Sequence, residues 1–205
     1  MHLEALRSKQ KKIFEKISEF PGFYLVGGTA LALQIGHRIS IDFDLFSSKN
    51  ISPSLIGKVR RVFKEFKVKT ILDHPEQLSV VVEGVKVDFV KYKFPVVLGL
   101  IEFKNVKMLK VPEIAAMKAY ALNYRGTFKD YVDLYFILKD KHSTLTEIKR
   151  IADKKYKQEF NFRLFLEQLI YLKDLEKEEI KFLKKKVSSS EIEDFFKKEV
   201  KKIKF

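Results

Sequence analysis

Val26-Gly27-Gly28-Thr29, followed by Ile41-Asp42-Phe43-Asp44-Leu45, is the stretch on which the reading of this chain turns. The preceding Phe23-Tyr24-Leu25-Val26 is apolar enough for a buried strand, and residues 29–35 have the composition of a short helix. The two glycines therefore fall at a strand-to-helix turn. Glycine lets the backbone approach a ligand closely, and a helix N-terminus carries roughly half a positive charge, so the N–H groups there favour a polyphosphate without any basic side chain. Residues 39–46 read as a second strand. Asp42 and Asp44 lie two apart and so share one face, while Ile41, Phe43 and Leu45 take the other. Two like charges on one face need a cation.

A third carboxylate, Asp88, stands in Val85-Lys86-Val87-Asp88-Phe89-Val90, an apolar strand that could lie beside the Asp42/Asp44 strand. Three aspartates suit two Mg²⁺ ions, which prefer oxygen ligands in octahedral geometry and bind a few carboxylates together with substrate phosphates. Two such ions, roughly 3.5–4 Å apart, clamp the attacking and leaving oxygens of an in-line displacement. Asp88 could also accept the nucleophile's proton. Alternating Asp and apolar residues also describe a half-solvated edge strand. It is the order of glycine turn, Asp-x-Asp and distal Asp that argues for a site.

The chain of 205 residues can bury a substantial core, in one domain or two small ones. Having no cysteine, it excludes disulfides, thiolate zinc sites and cysteine catalysis, in keeping with a reducing cytoplasm. The amphipathic N-terminus lacks the apolar core of a secretory signal, and no stretch is long enough to span a membrane. The net charge of +14 steers polyanions to the surface, and residues 51–150 carry 19 Lys+Arg against 11 Asp+Glu.

The periodicity predicts an α+β chain: a small mixed sheet with flanking helices, then a helical C-terminal half. Helices are expected over 3–20, 29–35 and 55–66, and strands over 67–72, 78–82 and 85–92, with Glu83-Gly84 as a hairpin turn. Helices follow over 113–124, 129–138, 145–152, 160–172 and 176–185, with a last one from Glu191. The boundary falls near Val111, giving a catalytic core of residues 1–110 and a helical region of 111–205 that completes the site. Within the second half, Lys118 and Arg125 lie seven apart on one helical stripe, suited to a triphosphate, and Asp130 and Asp133 share a face of the next helix. One of these aspartates could instead pair with Lys129 or Arg125. His37-Arg38 is read as supporting the turn, with Arg38 pairing an aspartate, rather than as catalytic. His2, His74 and His142 stand in no metal spacing and are expected at the surface. Aromatics among the C-terminal lysines, Phe182, Phe195 and Phe196, recur at helical spacing and read as core rather than as an RNA-binding surface.

The string VGGTALALQIGHRISIDFDLF resembles the AbiEii/AbiGii nucleotidyltransferase toxins of the DNA polymerase β-like superfamily, and VPEIAAMKAYALNYRGTFKDYVDLYFIL is similar to that family's later motifs. The resemblance covers roughly residues 22–140. It implies transfer of a nucleoside monophosphate from an NTP to an acceptor such as RNA, plausibly a tRNA 3′ end, by a toxin opposed by a separately encoded antitoxin. It places Gly27 and Gly28 at the phosphates, Asp42, Asp44 and Asp88 at metal, Lys118 on nucleotide phosphates and Asp130 in the last acidic motif. Many superfamily members have serine where Gly28 stands, and Thr29 could substitute for its hydroxyl. The other readings are the same chemistry on a protein or small molecule without a toxin role, and a non-catalytic nucleotide- or RNA-binding module.

Overall fold

A computed structural model describes residues 1–172, 175 and 179–203. The chain divides into two units, Met1–Leu109 and Lys110–Phe205.

The first unit is built on a seven-stranded mixed sheet. Its strands are β1 (Tyr24–Val26), β2 (Phe43–Ser47), β3 (Val68–His74), β4 (Gln77–Val82), β5 (Val85–Lys91), β6 (Leu100–Phe103) and β7 (Val106–Leu109), in the order β3-β4-β5-β2-β1-β7-β6. The β2–β5 and β1–β7 pairs are parallel and the others antiparallel. Leu78, Phe89, Leu45, Leu25 and Met108 stand in register across five strands, each fully buried. Burying such a row is worth about 1.5–3 kcal/mol per side chain, and it fixes register, because a one-residue slip would turn the whole row to the other face.

The helices of this unit are α1 (Ser8–Ile17), α2 (Gly27–Ile35) and α3 (Leu55–Val62). The single helix expected over 3–20 is broken: a 3-10 turn, Leu3–Ala5, precedes α1, and the Arg7 N–H bonds the Gln10 side chain at 3.0 Å. That bond caps a new helix at Arg7 instead of continuing the old one. Phe14 of α1 stacks on Phe43 at 6.4 Å and lies 6.2 Å from Phe103, tying α1 to the sheet.

The β6–β7 hairpin was not foreseen from sequence. Its signal was present in the alternation of Leu100 to Leu109 around Lys104-Asn105, both of which adopt positive φ (50° and 60°). Two residues in that conformation make a hairpin turn whose twist matches the strands.

The second unit is helical: α4 (Val111–Arg125), α5 (Phe128–Lys139), α6 (Leu145–Tyr156), α7 (Phe162–Leu169) and α8 (Ser189–Val200). Glu113 of α4 and Lys155 of α6, both without solvent exposure, pair at 2.7 Å across these helices. Tyr135 meets Phe195 at 5.0 Å and Phe196 is fully buried, so these aromatics are core. The helix expected over 176–185 is corrected: 179–185 are not helical, and 176–178 lie outside the described residues. Lys181, Lys184, Lys185 and Lys186 leave that segment little apolar face to bury, so periodicity alone did not make a helix there. No helix among the described residues is long and apolar enough to cross a membrane.

Candidate active site

Strand register assembles the acidic site. Asp44 pairs with Val26 on one side and with Asp88 on the other, and Asp88 pairs with Ser79, so these four side chains form a row on one face of the sheet. Phe43, Leu45, Val87 and Phe89 face the opposite way and are fully buried. Like charges directly opposed on neighbouring strands are destabilising. Here the ammonium of Lys86, two residues before Asp88 on the same face, reaches Asp88 Oδ2 at 2.6 Å.

Asp42 lies just ahead of β2 and is exposed, and Ile41 is 44% exposed, whereas strand alternation had placed Ile41 with the apolar face. The segment before Phe43 is shaped by other bonds. Gln10 of α1, only 1% exposed, donates from Nε2 to the carbonyls of Ser40 (2.6 Å) and Ile41 (2.8 Å). Thr29, fully buried, hydrogen-bonds the Ser40 hydroxyl (2.9 Å) and donates to the Asp42 carbonyl. The Thr29 hydroxyl therefore holds the backbone at Asp42. Sequence reasoning missed Gln10, whose long separation from Ser40 leaves no local signal.

The glycine turn abuts these carboxylates. α2 begins at Gly27, whose φ is +67°, with no side chain capping it, so its first N–H groups have no capping side-chain acceptor. A Cβ on Gly27 would stand 2.4 Å from Asp44 Oδ2, and one on Gly28 would stand 2.7 Å from Arg38 Nη2. Glycine is thus required twice over at Gly27, by conformation and by the carboxylate. Gly27→Ala is expected to keep the fold at a cost of about 1–2 kcal/mol while displacing Asp44. Thermal melts with a nucleotide-transfer assay check this; a fully active, unstrained variant would refute it.

Arg38 (4% exposed) packs its guanidinium on Gly28 and donates to the Ile39 carbonyl at 3.1 Å, and His37 is fully buried. His74 and His142 are exposed, and His2, 42% exposed at its side chain, bonds Glu4 at 2.7 Å.

In the helical unit the ammonium of Lys118 meets Asp130 Oδ1 at 2.9 Å and Asp133 Oδ2 at 2.6 Å, with Asp133 fully buried. Sequence had offered Lys129 or Arg125 as a partner for one of these aspartates; Lys118 pairs with both. Asp130 also accepts from the Thr127 N–H at 3.0 Å, capping α5. Arg125 is exposed in the last turn of α4, so the expected two-cation stripe has one buried and one solvated member.

Among the described residues no three acidic or histidine side chains already converge as a metal cage. The donor set nevertheless fits magnesium. The Lys86 ammonium is held charged above the ordinary lysine value, chiefly by its hydrogen bond to Asp88, against burial, and further by the charges of Asp88, Asp42 and Asp44. A single cation thus already sits in the field of all three carboxylates. Asp88 Oδ1 is buried with no hydrogen-bond partner, the mark of a site built for a further ligand.

The profile of the family described as "Nucleotidyl transferase AbiEii toxin, Type IV TA system" matches residues 12–204. A strand-borne carboxylate row beside a glycine turn belongs to the nucleotidyltransferase class of enzyme, and this chain is a nucleotidyltransferase. It belongs to the AbiEii toxin nucleotidyltransferase family. The chain is 29% identical over 204 residues to the uncharacterized protein aq_aa25 of Aquifex aeolicus (strain VF5), spanning 97% of this chain and 98% of that one. Two solved structures share the fold. A candidate nucleotidyltransferase from H. pylori aligns with TM-score 0.58 at 18% identity, over 94% of this chain and 93% of that one. JHP933 from Helicobacter pylori aligns with TM-score 0.54 at 16% identity, over 96% and 95%.

Proposed function

We propose that the protein transfers a nucleoside monophosphate from an NTP to an RNA acceptor, a tRNA 3′ end, in a Mg²⁺-dependent reaction, as a cytoplasmic toxin opposed by a separately encoded antitoxin. The observation that carries this is the in-register Asp44–Asp88 pair abutting the Gly27 turn. The N–H groups of Gly27, Gly28 and Thr29 bind the phosphates at the start of α2. Asp42, Asp44 and Asp88 hold Mg²⁺, which supplies neutralisation of the charge on the transferred phosphoryl group and on the departing pyrophosphate. Asp88 also activates the nucleophile by accepting the proton of the acceptor hydroxyl. Gln10 and Thr29 fix the backbone from Ser40 to Asp42, so that the carboxylates are placed before substrate arrives. Lys118, Asp130 and Asp133 join α4 to α5 within the helical unit, and the charge excess of residues 51–150 draws polyanionic substrates.

The test is incubation of the purified protein with total RNA, Mg²⁺ and each α-³²P-labelled NTP in turn, beside a control with EDTA. Label entering a discrete RNA band, dependent on Mg²⁺, is the expected result and names the nucleotide. Label entering protein or a small molecule would overturn the RNA acceptor while keeping the chemistry. Nucleotide binding without label in any acceptor would overturn the transferase reading.

A further inference from the structure

Lys86 is the residue of this site that neither phosphate binding nor proton transfer uses. It stands on β5 two residues before Asp88, so both project from the same face of the strand. Its ammonium lies 2.6 Å from Asp88 Oδ2, while its side chain remains 45% exposed, against 11% for Asp88. The tip is therefore anchored in the carboxylate row, and the four-carbon stem has open solvent to move into. Asp44 and Asp88 oppose each other in register, an arrangement that repels unless a positive charge lies between or beside them. The other oxygen of Asp88 is buried without a hydrogen-bond partner, so the carboxylate still has an acceptor to offer an incoming ligand.

We propose that Lys86 is the resident counter-cation of this carboxylate row: its ammonium holds Asp88 in the metal-free protein and releases it when a divalent ion binds. The inference rests on the reading of Asp42, Asp44 and Asp88 as metal ligands. An ammonium on Asp88 Oδ2 and a divalent ion on Oδ1 of the same carboxylate stand close enough to repel strongly, so occupancy by the ammonium and by the metal compete. The apparent metal affinity is then weakened by the fraction of molecules in which Lys86 already holds Asp88. In exchange the metal-free chain folds with a cation on the largely buried Asp88 carboxylate. Lys86 thus sets the threshold of divalent ion at which the site loads, without itself touching substrate.

The experiment is titration with Mn²⁺ alone, followed by the electron paramagnetic resonance of the free ion, on wild type, Lys86→Met, Lys86→Arg and Asp44→Asn, with thermal melts of each in EDTA and in saturating Mn²⁺. Met keeps the length and apolar stem of lysine, so the β5 strand is left in place. The expected result is tighter Mn²⁺ binding by Lys86→Met, about three- to fivefold for a half-exposed ion pair, and little change for Lys86→Arg. In EDTA, Lys86→Met should melt about 2–4 °C lower than wild type, and the gap should close in saturating Mn²⁺. A lysine with a merely structural role would lower the melting point equally in both. Unchanged or weaker Mn²⁺ binding by Lys86→Met, with Asp44→Asn clearly impaired, would overturn this inference and leave the metal site standing. No Mn²⁺ binding by wild type would overturn the metal reading, and this inference with it.

Discussion

Asp44→Asn is expected to abolish nucleotide transfer, by a factor on the order of 10³ or more, and to leave the protein about as stable as wild type. The loss follows from the character of phosphoryl chemistry, in which the protein contributes placed charge rather than covalent steps, so removing one charge from the centre removes much of the catalysis. The retained stability follows from register and shape: Asn keeps the size of Asp, and relief of the repulsion from the directly opposed Asp88 offsets what other contacts of the carboxylate lose. Asp44 is only half-buried, so its amide replacement is not trapped away from water. Initial rates with labelled NTP, together with urea melts, measure both effects. A variant that is inactive because it is unfolded, or one that is fully active, would contradict the site as described. A site whose function costs stability is the expected pattern where activity needs clustered like charges.

Lys118→Met should destabilise the helical unit by about 3–5 kcal/mol, the range for removing one partner of a buried ion pair. Its ammonium is 9% exposed and Asp133 not at all, so the substitution leaves carboxylates facing one another out of water. The double variant Lys118→Met with Asp133→Leu should recover most of the loss, and the difference between the cycle's legs isolates the pair. The pH dependence carries the same information. Burial acts to raise the Asp130 carboxyl, but the Lys118 charge and hydrogen bond and the Thr127 N–H outweigh it, and Asp130 is held below its ordinary 3.8. A depressed carboxylate stabilises the fold above its unfolded value and loses that contribution as pH falls through the folded one. Wild type should therefore weaken below about pH 4, whereas Lys118→Met should gain on acidification as protonation removes the repulsion. Equal acid limbs for the two proteins would show that Lys118 does not hold these aspartates.

The glycine turn, the Asp-x-Asp strand and the distal Asp88 strand were readable because each depends on short-range rules. Strand alternation, helix start and glycine freedom all act within a few residues. The helices from Val111 to Leu169 were likewise legible from their apolar period, while the β6–β7 hairpin was passed over although Lys104-Asn105 carried its turn signal. What the chain determined locally, then, was which residues bear the chemistry and on which elements. Only the tertiary structure decided which of them meet. The parallel pairing of β2 with β5 set Asp44 beside Asp88, Lys86 took the position of their cation, and Gln10 and Thr29 took hold of the backbone around Asp42. It likewise set Lys118 against Asp130 and Asp133. These partnerships join residues far apart in sequence, and which of several available counter-charges wins depends on burial and distance, neither of which exists until the chain has folded.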